Sequence, residues 1–114
     1  MKFQIPNDLR TGERGQPQKF PWKFYDIMLS KSPGFKWCDN GESVSMERGK
    51  YENTIKKHDN FRLTDHASFH RQMNLYHFKL IRTEKKGTVI VYQHPNFKKD
   101  FPNLLINIKR SPQL

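Results

Sequence analysis

Apolar positions along this chain change their period several times, and each change marks an element. Trp22, Phe24, Tyr25, Ile27, Met28 and Leu29 recur on a wide helical face. Phe20-Pro21 opens that helix, with proline suited to a first turn whose N–H has no acceptor, and Ser32-Pro33-Gly34 stops it. The period then drops to two in Phe35–Cys38 and Glu42–Met46, joined by Asp39-Asn40-Gly41; Asn-Gly between alternating runs predicts a hairpin. Tyr51 and Ile55 give Arg48–Lys57 a weak helical stripe that His58-Asp59-Asn60 ends, with Phe61 expected to plug the turn. Thr64 or Asp65 can cap a third helix running from Asp65 to about Tyr76. Alternation returns in Lys79–Thr83 and Thr88–Tyr92, a second hairpin turning at Lys85-Lys86-Gly87. After His94-Pro95, Leu104, Leu105 and Ile108 fall at helical spacing within Phe101–Lys109.

Two helices joined by a turn, followed by a hairpin rising from the second, predict an α+β winged helix-turn-helix. In it a three-helix bundle packs on a small antiparallel β-sheet. Residues 1–19 are polar, carry two Pro and two Gly and show no period, which predicts a flexible N-terminal arm. The domain is expected over residues 20–110, with 111–114 as a tail. Its length suits one domain of about 100–150 residues. Nine Phe, four Tyr and two Trp supply a core that a disordered chain would lack.

Charge adds a partner class. Twenty-one Lys and Arg against eleven Asp and Glu leave a net charge of +10, the footprint of a protein that meets a polyanion. A membrane is disfavoured, since no apolar run approaches the roughly 20 residues a span needs and the first ten residues turn polar at once. Cys38 is the single cysteine, so neither an internal disulfide nor a Cys-based zinc site is available. Beside Trp37 it is expected to be a small core residue. His66, His70 and His77 could line one side of the third helix, but apart from nearby Asp65 no Cys or carboxylate ligand joins them, so no metal is expected. Paired carboxylates, a phosphate-binding Gly loop and a nucleophile–base pair are all missing, which argues against an enzyme and gives no motif for a cofactor.

The third helix carries the candidate chemistry. At 100° per residue, Phe69, Met73 and Tyr76 share one face, while Ala67, Arg71 and Asn74 lie opposite, flanked by Ser68 and His70. The first set can be buried. The second offers small side chains for close approach and an Arg fork able to bond O6 and N7 of a guanine together. The plain alternative is an ordinary solvated face. Leu75 fits neither set, and is expected to pack on a neighbour or to mark a bend.

The run Ala67-Ser68-Phe69-His70-Arg71-Gln72-Met73-Asn74-Leu75-Tyr76-His77-Phe78 resembles the recognition-helix signature of the heat shock factors. Phe20–Leu29 resembles that family's opening helix and Phe35–Trp37 its first strand. Tyr92-Gln93-His94-Pro95-Asn96-Phe97 and Leu104–Arg110 resemble its closing segment, so the likeness covers about residues 20–110. It implies a nuclear, sequence-specific transcription factor domain that binds double-stranded DNA with GAA-type repeats. Arg71 would read the guanine. Ser68 and Asn74 would contact the backbone or adjust the helix in the groove, Gln72 and Tyr76 would lie near phosphates, and Arg62 would be the basic residue of the turn.

Four departures bear on the site. Lys79 is followed by Leu80 where the family tends to have two basic residues, so one phosphate contact is expected to be missing. His77 stands where the family usually has Gly, predicting a less sharply turned helix end or an added phosphate donor. The wing, Glu84-Lys85-Lys86-Gly87, is a tight basic turn in place of a long loop associated with contacts between neighbouring domains; Lys85 and Lys86 could reach a phosphate instead. Helix two lacks a bulge proline. No heptads provide the coiled coil through which heat shock factors trimerise, so either the chain is an excised domain or the full protein assembles differently, with self-association on adjacent sites possible in both cases. Two other interpretations stay open: a winged-helix protein-interaction module with degenerate DNA binding, and an ETS-type domain, which expects an Arg-rich helix ending in consecutive Tyr where Arg71 here stands alone.

Overall fold

A computed structural model describes residues 20–57 and 66–111. Helix α1, Phe20–Leu29, buries Phe20, Pro21, Trp22, Phe24, Tyr25, Ile27 and Met28, the whole expected apolar face except Leu29, which is exposed. Strand β1 (Phe35–Cys38) and β2 (Ser43–Glu47) form the first hairpin, and α2 (Arg48–Lys57) inserts Tyr51 and Ile55 into the core. Helix α3 is described over His66–Leu75, followed by β3 (Lys79–Glu84) and β4 (Val89–Gln93). The expected end of α2 at His58–Asn60, the Phe61 plug, the Thr64 or Asp65 cap and Arg62 lie outside the described residues.

The four strands are antiparallel in the order β1-β2-β4-β3. Trp37 pairs with Val44 and Val44 with Tyr92; Phe35 pairs with Met46 and Met46 with Ile90. Alternation therefore sends these six residues to one face, against the helices, and Ser43, Ser45, Val89 and Val91 to the other. Cys38 follows the second set. It is half-buried at the strand end near Arg82, not a core residue as expected, and its thiol is pushed up by burial and then by Asp39. Strand β3 forms the sheet edge with all six residues exposed, and its register shifts between Leu80 and Arg82.

Phe24 sits where the layers meet. Its ring stacks on Phe97 at 4.8 Å and meets Phe69 of α3 edge-on at 5.5 Å and Phe35 of β1 at 5.9 Å. Aromatic pairs in such tilted and edge arrangements add about 0.5–1.5 kcal/mol each beyond the area they bury. This cluster fixes α3 against α1 and the sheet, completing a winged helix-turn-helix.

One expected element differs. The closing segment forms a 3-10 helix, Pro102–Asn107, where an α-helical spacing was expected. Leu105 and Ile108 are buried, and Ile108 N–H donates to Leu105 O at 3.0 Å. Residues three apart share a face in both helix types, so spacing alone could not separate them. Ser111, counted with the tail above, donates its N–H to Leu75 O at 2.8 Å and so returns the chain to the end of α3. Among the described residues no helix is long and apolar enough to cross a membrane.

Candidate nucleic-acid interface

The apolar stripe of α3 is buried as its period requires. Phe69 and Met73 are 0% exposed, and Tyr76, just past the helix, is 9% exposed with its ring stacked on Phe20 at 5.6 Å. Burying side chains of this size stabilises by roughly 1.5–3 kcal/mol each, enough to hold the rotation of a ten-residue helix. With that face inward, Ala67, Arg71 and Asn74 are all exposed on the other. Together with His70, Leu75 and Ser111 they line a shallow hollow of about 490 Å³. Leu75 is a half-buried residue packed against the core, and it is the last residue of α3.

The helix end is sharply turned, contrary to one expectation from His77. His77 N–H donates to Asn74 O at 3.1 Å and Phe78 N–H to Met73 O at 2.9 Å, the paired bonds of a Schellman motif. His77 takes a left-handed φ of 67°, a position glycine usually fills. Phe78, buried at 4% exposure, anchors the turn from the far side, and His77 Nε2 meets Ser111 Oγ at 3.0 Å. Histidine is tolerated because the chain on both sides of it is fixed.

The other expected site residues separate into groups. Ser68 and Gln72 are half-buried on the flanks of α3, while Tyr76 belongs to the core and holds the helix more than it faces outward. Lys79 is exposed at the start of β3, next to the helix end. Lys85 and Lys86 are exposed at the tip of the wing, in a turn with φ of 50° and 57°. His70 carries a feature that sequence reasoning missed: its Nδ1 is hydrogen-bonded to the hydroxyl of Tyr92, a buried residue of β4. The two are 22 positions apart and on elements of different period, so no local pattern signals the pair.

Comparison with known proteins agrees with this geometry. Human heat shock transcription factor, X-linked member 4, is 28% identical over 103 residues, covering 83% of this chain. Mouse heat shock factor protein 2 is 37% identical over 87 residues, covering 65% of it. These stretches are 31% and 15% of the respective relatives, so the chain spans less than a third of their length. Crystal structures of Skn7 from Chaetomium thermophilum superpose with a TM-score of 0.67. The complex with SSRE DNA is 31% identical, covering 78% of this chain and 95% of that one; the complex with HSE DNA is 29% identical, covering 79% and 97%. The family model for HSF-type DNA-binding matches residues 20–111, from the first turn of α1 to the serine that fastens the end of α3, and the chain belongs to that family.

Proposed function

We propose that this domain binds double-stranded DNA sequence-specifically in the regulation of transcription, with α3 in the major groove of GAA-type repeats and Arg71 reading a guanine. The observation that carries this is the division of α3: Phe69 and Met73 are fully buried while Arg71 stands exposed between Ala67 and Asn74. The Skn7 structures with HSE and SSRE DNA support the same use of the fold. Ser68, Gln72, Asn74 and Lys79 would hold the helix on its flanks, Arg62 would supply the turn, and Lys85 and Lys86 would meet phosphates. Phosphate contacts set affinity, and base contacts set selectivity. Nuclear localisation follows from this role. Several such domains bound to adjacent repeats would gain affinity through effective concentration.

The test is an unbiased binding-site selection at stated salt on the wild type and Arg71→Ala. We expect a GAA-containing preference, and a loss of about 1–3 kcal/mol on that site in the variant, with the preference flattened. Equal loss on every sequence would reduce Arg71 to a phosphate contact. Wild-type binding no tighter on any selected site than on random duplex would end this account and favour a protein-interaction module.

A further inference from the structure

We infer that His70 is a second base-reading residue of α3 and that Tyr92 is the residue that positions it; this rests on α3 lying in the major groove as proposed above. Tyr92 is fully buried in β4, and its hydroxyl bridges the sheet to His70 Nδ1, with the two rings tilted at 60° and their centroids 5.6 Å apart. His70 is half-buried and lines the same hollow as Arg71. On the helix, Ala67 and Asn74 are one turn away from both His70 and Arg71, so the two nitrogen-bearing side chains stand side by side over one small residue. Base edges that approach over Ala67 meet both.

The hydrogen bond decides which chemistry the imidazole offers. Burial pushes the Tyr92 phenol up to about 12, so the hydroxyl keeps its proton; it lies within hydrogen-bonding reach of both ring nitrogens, nearer Nδ1, and we assign it as the donor there. A neutral imidazole that accepts at Nδ1 carries its proton on Nε2 and is a donor there. A donor suits the acceptor-bearing edges of the major groove, above all N7 and O6 of guanine, and disfavours the amine edge of cytosine. The tether also removes ring orientations before DNA arrives, which lowers the entropy lost on contact. A phosphate oxygen is an acceptor too, but it would reward the same nitrogen on every sequence equally.

The experiment is site selection at fixed salt on wild type, His70→Ala, His70→Gln, Tyr92→Phe and Arg71→Ala, paired with ring-nitrogen NMR on the DNA-free wild type and Tyr92→Phe. We expect wild type to show the Nε2–H tautomer and Tyr92→Phe a mixture of the two. We expect His70→Ala to lower the preference at one base position, next to the guanine lost in Arg71→Ala, by about five- to tenfold. Tyr92→Phe should weaken the same position by a smaller factor, and His70→Gln, which keeps a donor at the tip, should retain part of it. A uniform loss across sequences in His70→Ala, or an Nδ1–H tautomer in wild type, overturns the inference. If Arg71→Ala flattens the preference while the His70 and Tyr92 variants leave it intact, this inference alone fails; a wild type without any preference removes both it and the function proposed above.

Discussion

Asp39-Asn40-Gly41 and Lys85-Lys86-Gly87 follow nearly the same path: φ of 52°, 58° and 84° in the first turn is matched by 50°, 57° and 85° in the second. Side chains separate them. In the first, Asp39 accepts hydrogen bonds from Arg82 Nη1 at 2.9 Å and Nη2 at 3.2 Å, and Gly41 is buried with its carbonyl held by Lys99 N–H at 3.0 Å. Lys99 O in turn accepts from the Tyr25 hydroxyl of α1 at 2.6 Å, so this turn is tied through to the core. In the second, Thr88 Oγ1 caps Lys85 O at 2.8 Å, and both lysines stand exposed with no ion pair among the described residues. Left-handed backbone suits Asp and Asn, whose short polar side chains bond locally, and costs other residues roughly 1–2 kcal/mol each. Two lysines at such positions are therefore poor choices for stability. Strain of that kind collects where a function needs the side chain, and two cations at the tip of a wing proposed to meet phosphates fit that pattern.

The contrast can be broken most forcefully at the two glycines. A Cβ on Gly41 would lie 2.8 Å from Lys99 Cβ, whereas one on Gly87 would meet nothing within 4 Å. Both substitutions incur left-handed strain, and only the first adds a clash with a fixed neighbour. We expect Gly41→Ala to cost about 3 kcal/mol and Gly87→Ala about 1 kcal/mol in chemical denaturation. Equal costs would mean that the first turn is no more tightly packed than the wing.

A smaller effect should separate stability from binding. Replacing Lys85 and Lys86 together by Asn should stabilise the free domain by about 1 kcal/mol, because Asn accepts the left-handed conformation more readily. The same variant should bind all DNA sequences more weakly and lower the salt slope by about 0.9 for each lost phosphate contact. Stabilisation with an unaltered slope would take the wing tip off the DNA.

The smallest effect concerns acid. Hydrogen bonds from Arg82, then from Ser43, hold the Asp39 carboxyl below its ordinary value. A lowered folded value means the stabilising contribution is present above the unfolded carboxylate range, near pH 4, and is lost as pH falls through the folded value. Amide exchange in the first turn should therefore quicken below about pH 4, an effect that Asp39→Asn abolishes. The lysine turn should show no counterpart. Because Asp39 is exposed, the change is expected to be local and reduced by salt.

Much of this was legible in the sequence wherever a periodic pattern met a single partner. Phe69, Met73 and Tyr76 could be assigned to the core because a helical stripe has one side to bury, and Arg71 was left outward by the same count. Asn40-Gly41 marked its hairpin because few residues accept that backbone; Lys85-Lys86 marked the other only through Gly87 and the flanking alternation. Three things escaped. The 3-10 form of Pro102–Asn107 did so because Leu105 and Ile108 satisfy two helix types at once. The tight turn at His77 did so because its cause is the burial of Phe78 and not the residue itself. The His70–Tyr92 bond joins elements whose separation only the folded sheet closes.

Strand β3 bears on how copies of this protein behave when crowded together. It offers the sheet's outer rim, six exposed residues including Leu80 and Ile81, to any passing chain. The register break between Leu80 and Arg82 interrupts the ladder an incoming segment would need, and Lys79, Arg82 and Glu84 place charge along the same border. Neighbouring molecules at high local density would find that rim a poor template for zipping together, and so would stay separate folded units rather than seed fibres.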